Sequence, residues 1–381
     1  MKMLVLFTLI FIIAVAPTYA NPVIGSITKL RGEVTILELG KRDAKKAVLG
    51  QTVTKEASIL TSEKSFIQIT LVDKTQVSLG PSSKIVLDQT PSENIGLISL
   101  LKGKIRTEVI KNSETSTEKE KLYVKTRSAA MGVRGTNFET MFNPENNITN
   151  LITFRGQVAL VKTESEDLHG SLKSKEAVLV EKGNFAAISD NLKNATEPVK
   201  LSPVQYTGLK LNKDMDEENK ISKEEFQAEL KNTIKEYEEI SKKELSQKKL
   251  ANHAYDEKNE VLRPVAGGVV DLATGIYVPP TVDKKNYIPA LNIYELKSEK
   301  GEVTETGNYL PPKGTILDAK KGFIPDPQIK KSENQAELSR LNQDIAGQIV
   351  TPIKPPKPSK PSKEDLGTKS EDAYDKYFIK E

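Results

Sequence analysis

The sequence predicts a mainly all-β protein, in which an antiparallel, many-stranded domain over residues 21–200 is followed by a charged helical segment at 213–260 and a loop-rich C-terminal region. Apolar and polar residues alternate with a period of two in the first part, which is typical of half-buried strands. In the middle part apolar residues recur every three or four positions, which is typical of a helix. Periodicity alone leaves open whether the β domain is a sandwich or a set of solenoid-like layers.

Residues 1–20 have the pattern of a secretory signal peptide. Lys2 precedes an apolar run over residues 4–15, and the segment ends at Ala20. The run is too short to span a membrane, and no later stretch is apolar for long enough to do so. No cysteine follows the run, so no lipid anchor is expected. The pattern predicts cleavage after Ala20 and a protein that is secreted across the inner membrane and is periplasmic or envelope-associated.

Composition limits the classes of function. The chain has 381 residues, of which 37% are hydrophobic and 28% charged, so we expect one compact domain with extensions. It contains 0 Cys, so its core must be stabilised by burial rather than by disulfides. The net charge of +4 comes from 56 basic and 52 acidic residues that are interspersed. This distribution gives no support for nucleic-acid binding, which needs a concentrated basic face.

Strand signals are clearest at residues 66–79, where two alternating runs flank Asp73 and Lys74 and predict a hairpin. A second pattern recurs four times: an apolar run, a basic residue, glycine, a polar residue and another apolar run. We expect each of these glycines to occupy a hairpin turn that requires positive φ. They are Gly32, Gly103, Gly156 and Gly183.

The segment at 213–260 predicts a charged, thinly amphipathic helix that lies on the β domain or projects from it. Residues 261–330 form a Tyr/Pro-rich segment in which "TGIYVPP" and "TGNYLPP" share one pattern, with Thr-Gly pairs at 274–275 and 306–307. These units predict small hairpins or extended loops packed on something larger. Residues 331–381 include a Pro/Lys/Ser tract and predict a flexible tail.

Catalytic residues are not evident. His169 and His253 are far apart in polar sequence and have no cysteine partners. A catalytic or metal-binding histidine needs an oriented nucleophile or a ligand set, so we expect both to be exposed and without such a role. The sequence also lacks the short motifs of zinc peptidases, serine hydrolases and P-loop enzymes. We therefore predict that the protein is not an enzyme.

The stretch "AAMGVRGTNFE" at 129–139 combines two glycines with arginine and threonine. A phosphate-binding loop would be followed by a helix, whereas an alternating, strand-like run follows here. We therefore expect the small residues to allow close backbone approach inside the β domain. On that interpretation Arg134 is buried and reaches a carboxylate or backbone carbonyls.

Several motifs, taken in order, resemble the FecR domain. They are "ASILTSEKSFIQITLVDKTQVSLGPSSKIVLD", "ISLLKGKIRTEV", "VKTRSAAMGVRGTNFET" and "ITFRGQVALV", and the resemblance covers roughly residues 22–163. It implies an all-β periplasmic domain without catalysis. It also implies structural roles for the motif residues, namely Gly80, Pro81, Gly103, Arg106, Gly132, Val133, Arg134, Gly135, Thr136 and Phe138.

Signalling members of that family pass the state of an outer-membrane transporter to a sigma factor. This sequence departs from their pattern, because no cytoplasmic segment and no membrane helix are predicted. We expect a stand-alone protein-interaction or sensing module with an envelope protein as partner. The alternative is a structural scaffold that binds peptidoglycan, glycan or outer-membrane components.

A calcium loop is one further hypothesis. In "DMDEENKISKEE" the residues Asp214, Asp216, Glu218, Lys220, Ser222 and Glu225 fall at EF-hand positions 1, 3, 5, 7, 9 and 12. Asn219 stands where the motif usually has glycine, and the preceding segment is a poor entering helix. The competing interpretation is a helix N-terminus, in which Ser222 and Glu225 form a capping box.

Two tyrosines are candidate contact residues. Tyr277 and Tyr309 of the Thr-Gly units would bind a glycan or a peptide if they are exposed. The alternative is that they attach loops to the β domain. The Pro/Lys tail would contact peptidoglycan or anionic lipid, or serve as a spacer.

Overall fold

The computed structural model describes residues 21–89, 95–110, 120–163, 168–211, 215, 221–252, 254–256, 260–329, 332 and 335. The predicted signal peptide and most of the predicted tail lie outside these residues. The chain divides into two compact units, residues 1–326 and 327–381. All elements below belong to the first unit.

Sixteen strands of the described residues are joined in one hydrogen-bonded sheet. The first eight are β1 (Val23–Arg31), β2 (Val34–Leu37), β3 (Lys45–Lys46), β4 (Thr52–Thr54), β5 (Ala57–Thr61), β6 (Phe66–Leu71), β7 (Gln76–Leu79) and β8 (Lys84–Gln89). The other eight are β9 (Gly96–Glu108), β10 (Leu122–Lys125), β11 (Ala129–Val133), β12 (Asn137–Asn143), β13 (Ile148–Arg155), β14 (Gln157–Lys162), β15 (Val178–Glu181) and β16 (Phe185–Ile188).

The sheet folds into two layers because the long strand β9 belongs to both. Its C-terminal half pairs in layer A, in the order β4-β1-β6-β7-β9-β12-β13-β16. Its N-terminal half pairs in layer B, in the order β3-β2-β5-β8-β9-β10-β11-β14-β15. The neighbours are antiparallel except for β9 and β10, which are parallel. The sheet is therefore mixed rather than wholly antiparallel.

One apolar core lies between the layers. Layer A contributes Ile27, Ile69 and Val77, and layer B contributes Ile59 and Leu100, each 1% exposed or less. Burial on this scale is the main source of stability in a chain without disulfides. The structure thus resolves the open choice in favour of a sandwich, and the mainly β fold class is confirmed.

The four predicted turn glycines mark corners between the layers. Their φ angles are positive, at 76° for Gly32, 87° for Gly103, 77° for Gly156 and 85° for Gly183. The prediction that they form hairpins is wrong, because the segments on either side of each glycine lie in different layers: two separate strands at Gly32, Gly156 and Gly183, and the two halves of β9 at Gly103. A corner needs the same left-handed residue as a hairpin turn, since the chain must reverse its curvature within one residue. The hairpin predicted at 66–79 does form, between β6 and β7.

Three helices occur in the described residues: α1 (Leu168–Lys173), α2 (Pro203–Leu211) and α3 (Lys223–Ser246). Helix α3 begins at a cap, where Ser222 Oγ accepts a hydrogen bond from the Glu225 amide at 3.1 Å. Its buried residues include Phe226 and Tyr237. The helix docks rather than projects, because Tyr237 joins the core on the outer face of layer A.

Five two-stranded hairpins follow α3 within the described residues; the first begins before the Tyr/Pro-rich segment, and the other four lie within it. The five are β17 (Ala254–Asp256) with β18 (Val261–Arg263), β19 (Val269–Val270) with β20 (Tyr277–Val278), β21 (Tyr287–Ile288) with β22 (Ile293–Tyr294), β23 (Glu302–Val303) with β24 (Tyr309–Leu310), and β25 (Thr315–Asp318) with β26 (Gly322–Pro325). Two short 3-10 helices lie between them, at Lys284–Asn286 and Ser298–Lys300.

A second core joins these elements to layer A. Outward-facing residues of the sheet pack there against α2, α3 and the hairpins. From the sheet come Met141, Ile152, Phe154 and Phe185, and from the other elements Tyr206, Leu209, Tyr237, Val265, Val270 and Ile293. Layer A is therefore covered on both faces, which places the helix and the hairpins in the same compact unit as the sandwich.

Candidate functional site

Three motif residues build the corner at one edge of the sandwich. Ser83 Oγ accepts a hydrogen bond from the Lys104 amide at 2.9 Å, and the Gly80 amide donates to the Lys104 carbonyl at 3.0 Å. A Cβ atom on Gly103 would lie 2.6 Å from the Ser83 Cβ atom, so only glycine fits there. Pro81 lies in the same turn and accepts from Ser83 Oγ at 2.8 Å. These residues position the backbone.

Arg106 attaches helix α2 to layer A. Its two terminal nitrogens donate to the carbonyls of Leu209 and Lys210 at 3.1 and 2.9 Å. These carbonyls end the helix, where the backbone dipole is negative and a cation is favoured. The guanidinium also lies 4.4 Å from the centre of the Phe154 ring. These contacts link the β domain to the segment that follows.

The "AAMGVRGTNFE" stretch forms β11, a corner and the start of β12. Val133, Thr136 and Phe138 are fully buried, and Gly135 turns the corner with φ at 69°. Gly132 faces outward, with space for a Cβ atom only 3.1 Å from Leu172 of α1. The residues of this stretch that face the core therefore have a structural role.

Arg134 differs from the expectation, because its side chain is exposed. Strand β11 alternates, with Ala129, Met131 and Val133 in the core between the layers. The next residue consequently points to the outer surface of layer B. Arg134 makes no hydrogen bond or ion pair with another described residue.

Arg134 lies on the wall of a groove, which we call the Arg134 groove. The groove has a volume of 890 Å³ and runs between the outer surface of layer B and helix α3. Its lining residues are Glu120, Gly132, Arg134, Gly135, Gly156, Gln157, Ala159, Leu179, Glu181, Lys182, Glu236, Glu239 and Ile240. A space of this size accommodates a short peptide or a small ligand.

Most charges of the groove are already paired. Two of its carboxylates are paired with lysines, Glu181 with Lys243 (3.1 Å) and Glu236 with Lys182 (2.9 Å), and Glu120 Oε2 lies 3.3 Å from His169 Nδ1. The exposed residues Arg134 and Glu239 are the exceptions, because within the described part of the chain neither has an ion pair. Among the described lining residues, Arg134 and Glu239 thus lack an ion pair, and they lie on opposite walls.

Comparison with known proteins assigns the β domain. Residues 57–159 match the model of the family described as "FecR protein". Residues 57–159 form a FecR domain. The matched range begins with β5 and ends in β14, so it includes the corners at Gly103 and Gly135 and the residue Arg134. None of the curated proteins in the comparison matches the chain.

Among solved structures, two crystal structures of a "putative anti-sigma factor" from Parabacteroides distasonis ATCC 8503 are similar to the chain. They are 17% and 18% identical to it, with a TM-score of 0.29 each. The match covers 36% of this chain and 57% of theirs, so the chain spans little more than half of their length. A "Cell surface anchoring domain" is 30% identical over 17% of this chain and 86% of its own, with a TM-score of 0.17.

The two candidate contact tyrosines make internal packing contacts and hydrogen bonds. Tyr277 stacks on Phe185 with ring centres 5.3 Å apart, and its hydroxyl accepts from the Gly268 amide at 3.1 Å. Tyr309 is 5% exposed and its hydroxyl donates to the Lys300 carbonyl. These contacts fit the alternative in which the tyrosines attach loops to the β domain, because neither ring is displayed at the surface.

Hydrogen bonds from asparagine side chains to backbone carbonyls dock the first Thr-Gly loop on the FecR domain. Side-chain amides of the turn between β12 and β13 donate to successive loop carbonyls. Asn150 does the same from within β13, donating to the Gly275 carbonyl at 2.7 Å. The second Thr-Gly loop lies on α2, where Gln205 Nε2 donates to the Gly307 carbonyl at 3.1 Å. Both repeated loops therefore make contacts within the protein, the first with the FecR domain and the second with α2.

The calcium hypothesis falls mostly outside the described residues. Asp214, Asp216, Glu218 and Lys220 are among the residues that the structure does not describe. Ser222 and Glu225 are described, and they make the capping hydrogen bond at the start of α3. The described residues contain no cluster of three or more residues of metal-binding type. The described helices likewise include none that is long and apolar enough to span a membrane.

His169 is half-buried, unlike the exposed side chain expected from its polar sequence. Its Nδ1 atom lies 3.0 Å from the Tyr123 hydroxyl and 3.3 Å from Glu120 Oε2. These contacts hold α1 on the outer surface of layer B beside the Arg134 groove. His253 lies outside the described residues.

A buried charge cluster behind the FecR domain was not predicted from the sequence. Lys200 is completely buried, and its Nζ atom contacts Glu244 and Ser241 Oγ, the latter at 2.9 Å. Asn292 donates to Glu244 at 2.7 Å, and Arg263 lies 3.6 Å away. Burial lowers the pKa of Lys200, and the Glu244 carboxylate opposes that shift. The cluster joins α3, the hairpins and the end of the β domain.

Proposed function

We propose that the chain is a non-catalytic, exported FecR-domain protein that binds a protein partner in the cell envelope through the Arg134 groove. One observation carries the proposal: Arg134 belongs to a motif of the domain, yet it is exposed in a groove and makes no hydrogen bond or ion pair with a described residue. A motif arginine without a structural role is well suited to recognition, since its guanidinium donates in a fixed fork.

A comparison of the Tyr/Pro loops with the Arg134 groove also supports binding through the groove. The repeated Tyr/Pro loops are engaged in internal contacts, so they offer no displayed aromatic pair. The groove, by contrast, combines the exposed apolar side chain of Leu179 with charged walls, which is a common composition for an interface. A sensing role, in which the partner's state is passed on, is part of the proposal.

Site-specific photo-crosslinking in cells tests this function. A photoreactive amino acid replaces Leu179, which is 54% exposed in the groove, and separately Leu60, which is 46% exposed on the far half of the same layer. We expect one stoichiometric protein to be captured from position 179 and not from position 60. Arg134→Glu should abolish capture while the melting temperature stays unchanged.

Other results would contradict the proposal. Capture of peptidoglycan fragments or of many abundant envelope proteins would favour the scaffold alternative. Loss of the folded state in Arg134→Glu would show that Arg134 is structural after all. Export is tested by the mass of the purified protein, which should correspond to a chain that begins at Asn21.

A further inference from the structure

The floor of the Arg134 groove is unusually bare. Gly135, Gly156 and Ala159 supply little or no side chain there, so their backbone is accessible from the groove, whereas Gly132 is buried beside Leu172 and Glu120. The apolar side chains of Leu179 and Ile240 stand beside this floor. A surface of this kind admits an extended backbone with small or apolar side chains, and it excludes a bulky helix.

Charge complementarity specifies the occupant further. The carboxylates of Glu181 and Glu236 lie 3.1 and 2.9 Å from Lys243 and Lys182, so they contribute little net attraction, and Glu120 already contacts His169. Arg134 and Glu239 lack such partners among the described residues and lie on different elements, one after β11 and the other on α3. A ligand that satisfies both needs an anionic and a cationic group.

We infer that the groove binds an extended segment of the partner protein in which an acidic side chain pairs with Arg134, a basic side chain pairs with Glu239, and small apolar residues lie between them. This inference rests on the proposed function and specifies the chemistry of its partner. It commits to a protein segment rather than to a cell-wall stem peptide, which also carries carboxylates and an amine.

Fluorescence anisotropy with defined peptides tests the inference on the full mature chain. The mixed probes are labelled peptides with one Glu and one Lys separated by two to five Gly, Ala or Val residues. Two matched controls replace either the Glu or the Lys by Gln. We expect a mixed probe to bind about threefold to tenfold more tightly than either control, as is typical of partly exposed ion pairs.

Charge reversal in the protein provides the second arm. Arg134→Glu and Glu239→Lys should each weaken binding of the mixed probe by a similar factor. The double variant with Arg134→Glu and Glu239→Arg should restore binding to within about threefold, because the peptide can bind in the opposite direction. Lys231→Glu, an exposed change elsewhere on α3, is the control and should leave binding unchanged.

The outcomes separate the inference from the proposed function. Equal binding of all probes, no binding by any probe, or single variants that bind like the parent would overturn the inference. Preferential binding of purified stem peptides would overturn it as well. If position 179 still captures one protein while the peptides fail, the proposed function stands and only the chemistry of the occupant is wrong.

Discussion

Replacing Gly208 by alanine tests the contact between helix α2 and the second Thr-Gly loop. A Cβ atom at this position would lie 2.6 Å from the Gly307 Cα atom and 2.9 Å from the Glu305 carbonyl oxygen. Both are backbone atoms, so the clash cannot be relieved by rotating a side chain. The hairpin of β23 and β24 would have to move away from the helix.

Three effects, one stabilising and two destabilising, decide the magnitude. Alanine raises the stability of a helix interior by about 1 kcal/mol relative to glycine. Overpacking against backbone costs about 1–3 kcal/mol. Displacement of the loop also removes the hydrogen bond from Gln205 to the Gly307 carbonyl, worth about 1 kcal/mol. The free energy of unfolding should therefore fall by about 1–3 kcal/mol, despite the gain in helix propensity.

Urea unfolding followed by tyrosine fluorescence measures this change, since the chain has 11 Tyr and 0 Trp. Hydrogen exchange should also become faster over residues 302–310. Gly40→Ala is the control, because nothing lies within 4 Å of a Cβ atom there and only the positive φ of 77° is penalised. A Gly208→Ala variant that is more stable than the parent, with unchanged exchange in the hairpin, would refute the reasoning.

Three further predictions concern the buried joints. Arg106→Ala should lower the free energy of unfolding by about 2–3 kcal/mol in urea, because two guanidinium–carbonyl hydrogen bonds are lost, and Arg106→Lys should not restore it. Lys200→Met should cost about 3–5 kcal/mol, because the buried Glu244 carboxylate loses its lysine partner and keeps only Asn292 and the more distant Arg263. Adding Glu244→Gln should recover much of the loss, and a double variant no more stable than Lys200→Met would contradict this. Burial raises the pKa of Tyr309 to about 12 and that of Tyr237 well above 10, so the unfolded state alone ionises above pH 10. Stability should then fall by about 1.4 kcal/mol per pH unit for each such tyrosine, and a flat profile between pH 10.5 and 11.5 would contradict the assignment.

Local conformation could be predicted from the sequence more reliably than the tertiary contacts of each residue. The glycines at 32, 103, 156 and 183 were correctly assigned positive φ. Their role as corners was missed, because a corner and a hairpin differ only in which strand pairs next. That pairing depends on residues far away in sequence. The hairpin at 66–79 was predictable, since both of its strands are local.

The candidate site likewise has local features that could be predicted and long-range contacts that could not. Alternation along β11 contained the signal that Arg134 points outward, but the small residues around it were taken to indicate tight packing. The second wall of the groove was not predictable, because it is formed by α3, roughly 100 residues further along the chain. Lys200 follows no periodic pattern, so its burial had no local signal.

The double coverage of layer A has a consequence for biosynthesis. Met141, Ile152, Phe154 and Phe185 lie on its outer surface and are buried by residues that come later, between 203 and 294. At typical synthesis rates these residues follow after roughly 10 s. Until then the emerging sandwich exposes an apolar surface at which other chains can associate. A fragment ending near residue 200 would keep that surface permanently open, so it should aggregate where the longer chain folds.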